Sequence, residues 1–334
     1  MHNEKVYLSI DEQIKLLKSK GLQIDSEKTT KKYLNNIGYY KLINGYRSPF
    51  LILEELEDGT INHKFRSNTS IEDLYQLYKF DQDLKSLIFK NISYIEVMIK
   101  ARMSDFISQN YGIKENEYLQ PTNFKPDTNK PNEIKFIELH SDILKSITEQ
   151  NNKHDSITWY AQNYGYYPFW VVSNILTLGT ISLLYTKMKQ HDQNMIAKTF
   201  GIKPNLLENM LMLLLLFRNK CAHNEIVYSY KTKRSLNQKD LKEIYELYNI
   251  PIVSTTGRYK FGLNDVFALI ITFKHLLPKT QFSEFIAQFK SLLSKLQSRI
   301  NSESYDNIMI AMGIVGDLEL IKKYNKKTTR KISG

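Results

Sequence analysis

Apolar positions recur along most of this chain at the three-and-four spacing of a helix, and the rhythm breaks at Gly, Pro and Asn. Residues 9–20 read as a first helix: Ser9 and Glu12 form a capping box, Ile10, Ile14 and Leu17 share a stripe, and Gly21 stops it. A second helix is predicted over 26–37, ending at Gly38. Residues 39–50 carry aromatics and two cations into a turn at Asn44-Gly45, and 50–65 read as a hairpin about Asp58-Gly59. Ser70 and Asp73 cap a long pattern over 70–110, striped by Ile71, Leu74, Leu77, Leu84, Ile88, Ile95 and Ile99. A break near Asp81 or Asn91 is expected at that length. Beyond a proline-bearing loop over 117–131, helices are expected over 132–150, 156–163, 168–188 and 192–200. Gly179, inside the third of these, points to close helix packing.

The next pattern, over 204–225, changes character along its length. Pro204 suits a first helical turn, and the apolar run 211–217 asks for burial on nearly all sides. Then Arg218, Asn219, Lys220, His223 and Asn224 crowd into less than two turns. A basic, Tyr-bearing loop follows over 227–236. Helices over 237–248, 264–277, 280–299 and 304–312 complete the pattern, with Phe267, Leu269, Ile270 and Phe273 as core. Residues 322–334 carry six cations and no acid and read as a disordered basic tail. The predicted fold class is all-α: a small N-terminal helical module over 1–66, a larger helical domain over 67–320, and the tail over 321–334.

Composition narrows the function classes. Hydrophobic types make up 42% of 334 residues, enough for a sizeable core. The apolar run 211–217 is far shorter than a membrane span, and residues 1–10 hold no signal-peptide apolar region. The single Cys221 rules out an intramolecular disulfide framework and Cys-cluster zinc sites. A cytoplasmic protein is therefore expected. The net charge of +11 favours an anionic partner, nucleic acid or a membrane surface. The scattered His residues make no metal-ligand spacing, and no glycine-rich phosphate loop occurs, so no metal or cofactor is expected.

The chemistry concentrates at the end of 204–225. Arg matches phosphate oxygens with a planar fork, His moves a proton near neutral pH, and Asn orients either. At about 100° per residue Asn219 and His223 share a face, whereas Arg218 and His223 stand about 140° apart. They converge on something at the helix end, or if the helix frays after Cys221; Asn224 suits a terminator. From the residues alone, a charged helix end capping its own carbonyls fits equally.

The string RNKCAHNE, from Arg218 to Glu225, resembles the motif of HEPN-domain ribonucleases: Arg, a polar residue, three to five more, then His. Further segments resemble the Abi family of bacterial abortive-infection proteins (AbiD/AbiF-like). They are LSIDEQIKLLKSKGLQI at 8–24, YLNNIGYYKLINGYRSPF at 33–50, YKFDQDLKSLIFKNISYIEVMIKARM at 78–103 and PFWVVSNILTLGTISLLYTKM at 168–188. The resemblance implies a HEPN-like helical bundle and a toxin-like endoribonuclease that restricts phage by cleaving RNA without a metal. It implies Arg218, Asn219 and His223 as catalytic residues. It also implies a homodimer, because HEPN nucleases build one site from two such motifs and this chain has one. Family members carry an acid and, four residues on, a base in the long helix; here these are Glu96, in a supporting role, and Lys100. They often carry an acid after the Trp of 168–188, where this chain has Val171, Val172, Ser173 and Asn174 behind Trp170.

Candidate RNA contacts are Lys220 and Asn224 beside the motif, Lys231, Lys233 and Arg234 in the following loop, Tyr40 and Arg47 in the N-terminal module, and Lys100 and Arg102 on the long helix. Each has a plainer counterpart: Tyr39, Tyr40, Tyr46 and Arg47 also suit docking of the module, the basic loop suits simple solvation, and Glu96 with Lys100 suits an ion pair. The expected partner is RNA, as substrate and as a possible neutraliser, with no membrane. A non-catalytic RNA-binding sensor of a phage-defence or toxin–antitoxin system is the alternative function.

Overall fold

The computed structural model describes residues 6–55, 61–128 and 135–324. It is all-α apart from two small hairpins. Helix α1 (Ile10–Ser19) has the Ser9/Glu12 capping box, and α2 (Glu27–Ile37) ends on Gly38. A π-helical turn, Tyr40–Asn44, leads to β1 (Leu51–Glu55), which pairs antiparallel with β2 (Ile61–Phe65). The expected turn at Asp58-Gly59 lies outside the described residues. Helix α3 spans Ile71–Asn110 and is followed by the short α4 (Glu115–Tyr118), α5 (Phe136–Gln150) and α6 (Asp155–Tyr164). Then come α7 (Phe169–Ile175), α8 (Leu178–Lys187), α9 (Gln190–Thr199) and α10 (Pro204–Ala222). The chain closes with α11 (Lys242–Leu247), the two-residue strands β3 (Ile252–Val253) and β4 (Arg258–Tyr259), α12 (Val266–Leu276), α13 (Lys279–Gln297), α14 (Ser302–Ala311) and α15 (Glu319–Lys323).

Helix α3 is the axle, packed by α7, α9, α10 and α13 along its length. Its stripe is buried from Ile71 to Ile107. It starts where Ser70 and Asp73 exchange hydrogen bonds, and it runs unbroken for 40 residues. The break expected at Asp81 or Asn91 is absent because neither side chain competes for the helix's own N–H groups. Asp81 turns its carboxylate outward to a distant loop, and Asn91 Nδ2 donates to the Leu87 carbonyl one turn back at 2.9 Å. The converse holds over 168–188, expected as one helix and found as two. Leu176 is extended (ψ 146°), and the Thr177 hydroxyl accepts the Thr180 N–H at 3.1 Å to start α8. Gly179 faces α10, where a Cβ would meet Leu215 at 3.6 Å.

The buried side chains form one continuous cluster from Ile14 to Ile321, so the N-terminal helices share a core with the rest. Tyr33 of α2 stacks on Tyr75 of α3 with ring centroids 3.9 Å apart and donates its hydroxyl to Glu72 at 2.7 Å. Tyr46 is fully buried, which settles its role as docking rather than base stacking. Lys322, expected in the basic tail, belongs to α15, 3.3 Å from Glu319. Residues 325–334 of that tail lie outside the described residues. No single described helix is long and apolar enough to cross a membrane, and α9 with α10, which together have that length, meet at 72°.

Candidate active site

Helix α10 is anchored before it becomes polar. Leu206, Leu207, Met210, Leu211, Leu213, Leu214 and Phe217 are buried, while Met212, Leu215 and Leu216 are only partly covered. Arg218 is then half-buried and Asn219 exposed. The helix ends in a left-handed cap: Asn224 has φ 52°, its N–H donates to the Cys221 carbonyl at 3.1 Å, and Glu225 N–H donates to the Lys220 carbonyl at 3.0 Å. There is therefore no fraying at Cys221. His223 is the C-cap residue, exposed, and its N–H donates to the Asn219 carbonyl at 3.0 Å. Asn219 and His223 thus sit one above the other on an exposed face. Arg218 leans the other way, its guanidinium 5.9 Å from the Phe89 ring centroid of α3.

Asp81 holds this end of α10 in place. Its carboxylate, fully buried, accepts the Val227 and Tyr228 N–H groups at 3.1 and 2.8 Å and the Tyr46 hydroxyl at 2.9 Å. Lys85, one turn on and also buried, lies 3.3 Å from Asp81 and donates to Asn224 Oδ1 at 2.8 Å. One carboxylate therefore ties together α3, the N-terminal module, the loop after the motif and, through Lys85, the residue beside His223. Burial, with Asp81 nearby and Lys85 opposing, pushes the Cys221 thiol up to about 12, so it stays protonated. Sequence reasoning missed Asp81 and Lys85 as a pair. The available signal was two opposite charges, four apart, within the buried stripe of α3.

The remaining candidate contacts divide into four groups. Lys220 pairs with Glu225 and lies 5.0 Å from the Tyr230 ring centroid, while Lys231, Lys233 and Arg234 project into solvent. Their loop is tethered at 232 and 236, because Thr232 N–H donates to the Asn264 carbonyl at 2.8 Å and Leu236 N–H to the Leu263 carbonyl at 2.7 Å. Glu96 and Lys100 form an ion pair at 2.8 Å. They share a face of α3 with Phe89, about 10 Å further along the axis at seven residues' rise. Lys100 also lines a cavity of about 660 Å³ with Val97, Ala101, Ser104, Trp170 and Asn174. Arg102 stands apart: it donates to Thr199 Oγ1 at 3.1 Å, covers the Phe200 ring at 3.6 Å, and burial pushes its pKa down. Tyr40 is 80% exposed and Arg47 half-buried, on the segment whose Gly45 leaves room for Ile226, which a Cβ there would meet at 2.9 Å. Among the described residues, no three His, Cys, Asp or Glu side chains gather as metal ligands would.

The profile of the family described as Abi-like protein matches residues 32–229, from α2 through α10 to the Asp81-bound loop. The chain belongs to the Abi-like protein family. That membership supports a role in abortive infection, that is phage defence, at this coarse level. Over 116 residues this Abi-like chain is also 30% identical to the dihydroorotate dehydrogenase (quinone) of Wigglesworthia glossinidia brevipalpis. The aligned part is 34% of each chain, so the Abi-like chain spans about a third of that curated relative's length. No solved structure matches it significantly.

Proposed function

We propose that this Abi-like protein is a HEPN-type endoribonuclease of abortive infection that cleaves RNA without a metal, using Arg218, Asn219 and His223. The observation that carries the reading is the placement of Asn219 and His223, exposed and stacked, on the capped end of a helix anchored by buried side chains from Leu206 to Phe217. A site on a rigid element keeps its geometry when a substrate arrives. His223 accepts the proton of a ribose 2′-OH, and the freed 2′-oxygen attacks the adjacent phosphorus. Arg218 carries the charge that builds on the phosphate oxygens, and Asn219 orients the group. The 5′-oxygen leaves with a proton, giving a 2′,3′-cyclic phosphate and a 5′-OH. Lys231, Lys233 and Arg234 supply the charge that attracts the backbone.

One protomer is a poor cage for this reaction, because Arg218 and His223 diverge around α10 and one His would serve as base and acid on opposite sides of the phosphate. A two-fold homodimer, the commonest oligomer, supplies two of each. Phe89, against Arg218 and 39% exposed, and Val97, about two turns further along α3 and 68% exposed, leave apolar surface for such a contact. The test is cleavage of end-labelled RNA in EDTA. Wild type is expected to cut, and His223→Ala to cut at least about 100-fold more slowly. Equal rates would remove the activity from this site, and RNA binding by both without cutting would favour a non-catalytic RNA-binding sensor.

A further inference from the structure

A second cavity, of about 710 Å³, is bounded on one wall by Tyr228 and Ser229 of the post-motif loop. Its volume falls within the range of small-molecule sites, about 300–1,000 Å³, and far exceeds what a bare phosphate fills. Arg47, His63 and Arg66 line it, with the carboxamides of Asn44 and Asn307, and no carboxylate among its lining residues. Arg66 pairs through Nη1 with Glu303, outside the lining, while its Nε is buried without a hydrogen-bond partner. Arg47 makes no ion pair with a carboxylate among the described residues. The Arg47 fork, with what Glu303 leaves of the Arg66 guanidinium, suits phosphate oxygens. Asn44 offers the paired donor and acceptor that a base edge or sugar hydroxyls need, and Asn307, whose Nδ2 donates to the Pro49 carbonyl at 3.2 Å, keeps its Oδ1 and second N–H. Pro49, Leu51 and Ala311 supply the apolar floor.

We propose that this cavity binds a phosphate-bearing nucleotide, and that the bound ligand stiffens the loop behind the motif. Its two walls hang from one carboxylate: Tyr46, between the lining residues Gly45 and Arg47, donates its hydroxyl to Asp81, and Tyr228 of the facing wall donates its N–H to the same group. The Tyr46 and Tyr228 rings lie 6.0 Å apart, so the walls also touch through aromatic packing. A nucleotide bridging Arg47 and Ser229 therefore holds both partners of Asp81, and through Lys85 the Asn224 cap. This binding does not depend on RNA cleavage and stands or falls separately.

The experiment is calorimetric titration of the full chain with AMP, with ATP, with a 5′-phosphorylated RNA trinucleotide and with adenosine, alongside amide hydrogen exchange at residues 226–229. Saturable binding of AMP or ATP, with adenosine bound at least tenfold more weakly, assigns a free nucleotide. Binding of the trinucleotide alone assigns the end of an RNA strand. In either case Arg47→Gln and His63→Gln, both on accessible side chains, are expected to weaken binding at least tenfold. Val227 and Tyr228 amides are expected to exchange more slowly with ligand. No saturable binding, or binding unchanged by both substitutions, overturns the site, and unchanged exchange at 226–229 overturns the stiffening.

Discussion

Asp81 carries more of the structure than any residue of the motif itself. It is sealed from solvent, accepts two backbone N–H groups and one tyrosine hydroxyl, and faces a buried lysine. Removing one partner of a buried pair leaves the other charge uncompensated, at about 3–5 kcal/mol. Asp81→Ala is accordingly expected to lower unfolding stability by that order in urea titration. Lys85→Met in the same background is expected to recover part of it, because the stranded ammonium goes. If Asp81→Ala shifts stability by less than about 1 kcal/mol, the carboxylate does not hold the loop. The motif residues could be read from the sequence because they follow one another on a single helix. Asp81 could not, because the backbone groups it binds lie 146 and 147 positions away and only the folded chain brings them together. Asn224 was legible as a terminator, since its residue type tolerates φ 52°, but its hold on Lys85 was not.

Among elements, those with a local signature were read correctly. The reciprocal caps at Ser9 and Ser70 and the stop at Gly38 are encoded within a few residues and are present. Errors fell at polar residues whose partner, near in sequence for Asn91 and Thr177 and distant for Asp81, decided the backbone. Asp81 and Asn91 resembled interruptions of α3 but lie in an unbroken helix, whereas the apolar continuity of 168–188 hid the break before Thr177. Thr177 makes that break a designed start, accepting the N–H of Thr180. Thr177→Ala is expected to cost about 1 kcal/mol, as for other N-caps, measured by thermal unfolding. A neutral result would mean that packing of Gly179 against Leu215 alone positions α8. The Glu96–Lys100 pair was legible as a four-residue spacing, and its distance of 2.8 Å bears that out, while its place beside Trp170 and Asn174 came only with the fold.

In the whole molecule, one core joins the N-terminal helices to α10 and on to α15. The exposed polar end of α10, the tethered basic loop and the uncovered face of α3 are therefore parts of one body, and the proposed dimer brings two of these ends together. Val97, 68% exposed on that face, is the residue to change. Val97→Glu is expected to convert a dimer to a monomer in light scattering with unaltered circular dichroism and at least tenfold less RNA cleavage. A wild-type monomer with full activity would dismiss the dimer but leave the motif's chemistry standing. That chemistry is tested most directly with an all-deoxy oligonucleotide carrying a single ribonucleotide, incubated in EDTA with wild-type or His223→Ala protein. The expected result is one cut, 3′ to the ribose, leaving a 2′,3′-cyclic phosphate and a 5′-OH, with wild type alone. Cutting at deoxy positions, or equal cutting by the His223→Ala protein, would contradict a ribonuclease built on Arg218, Asn219 and His223.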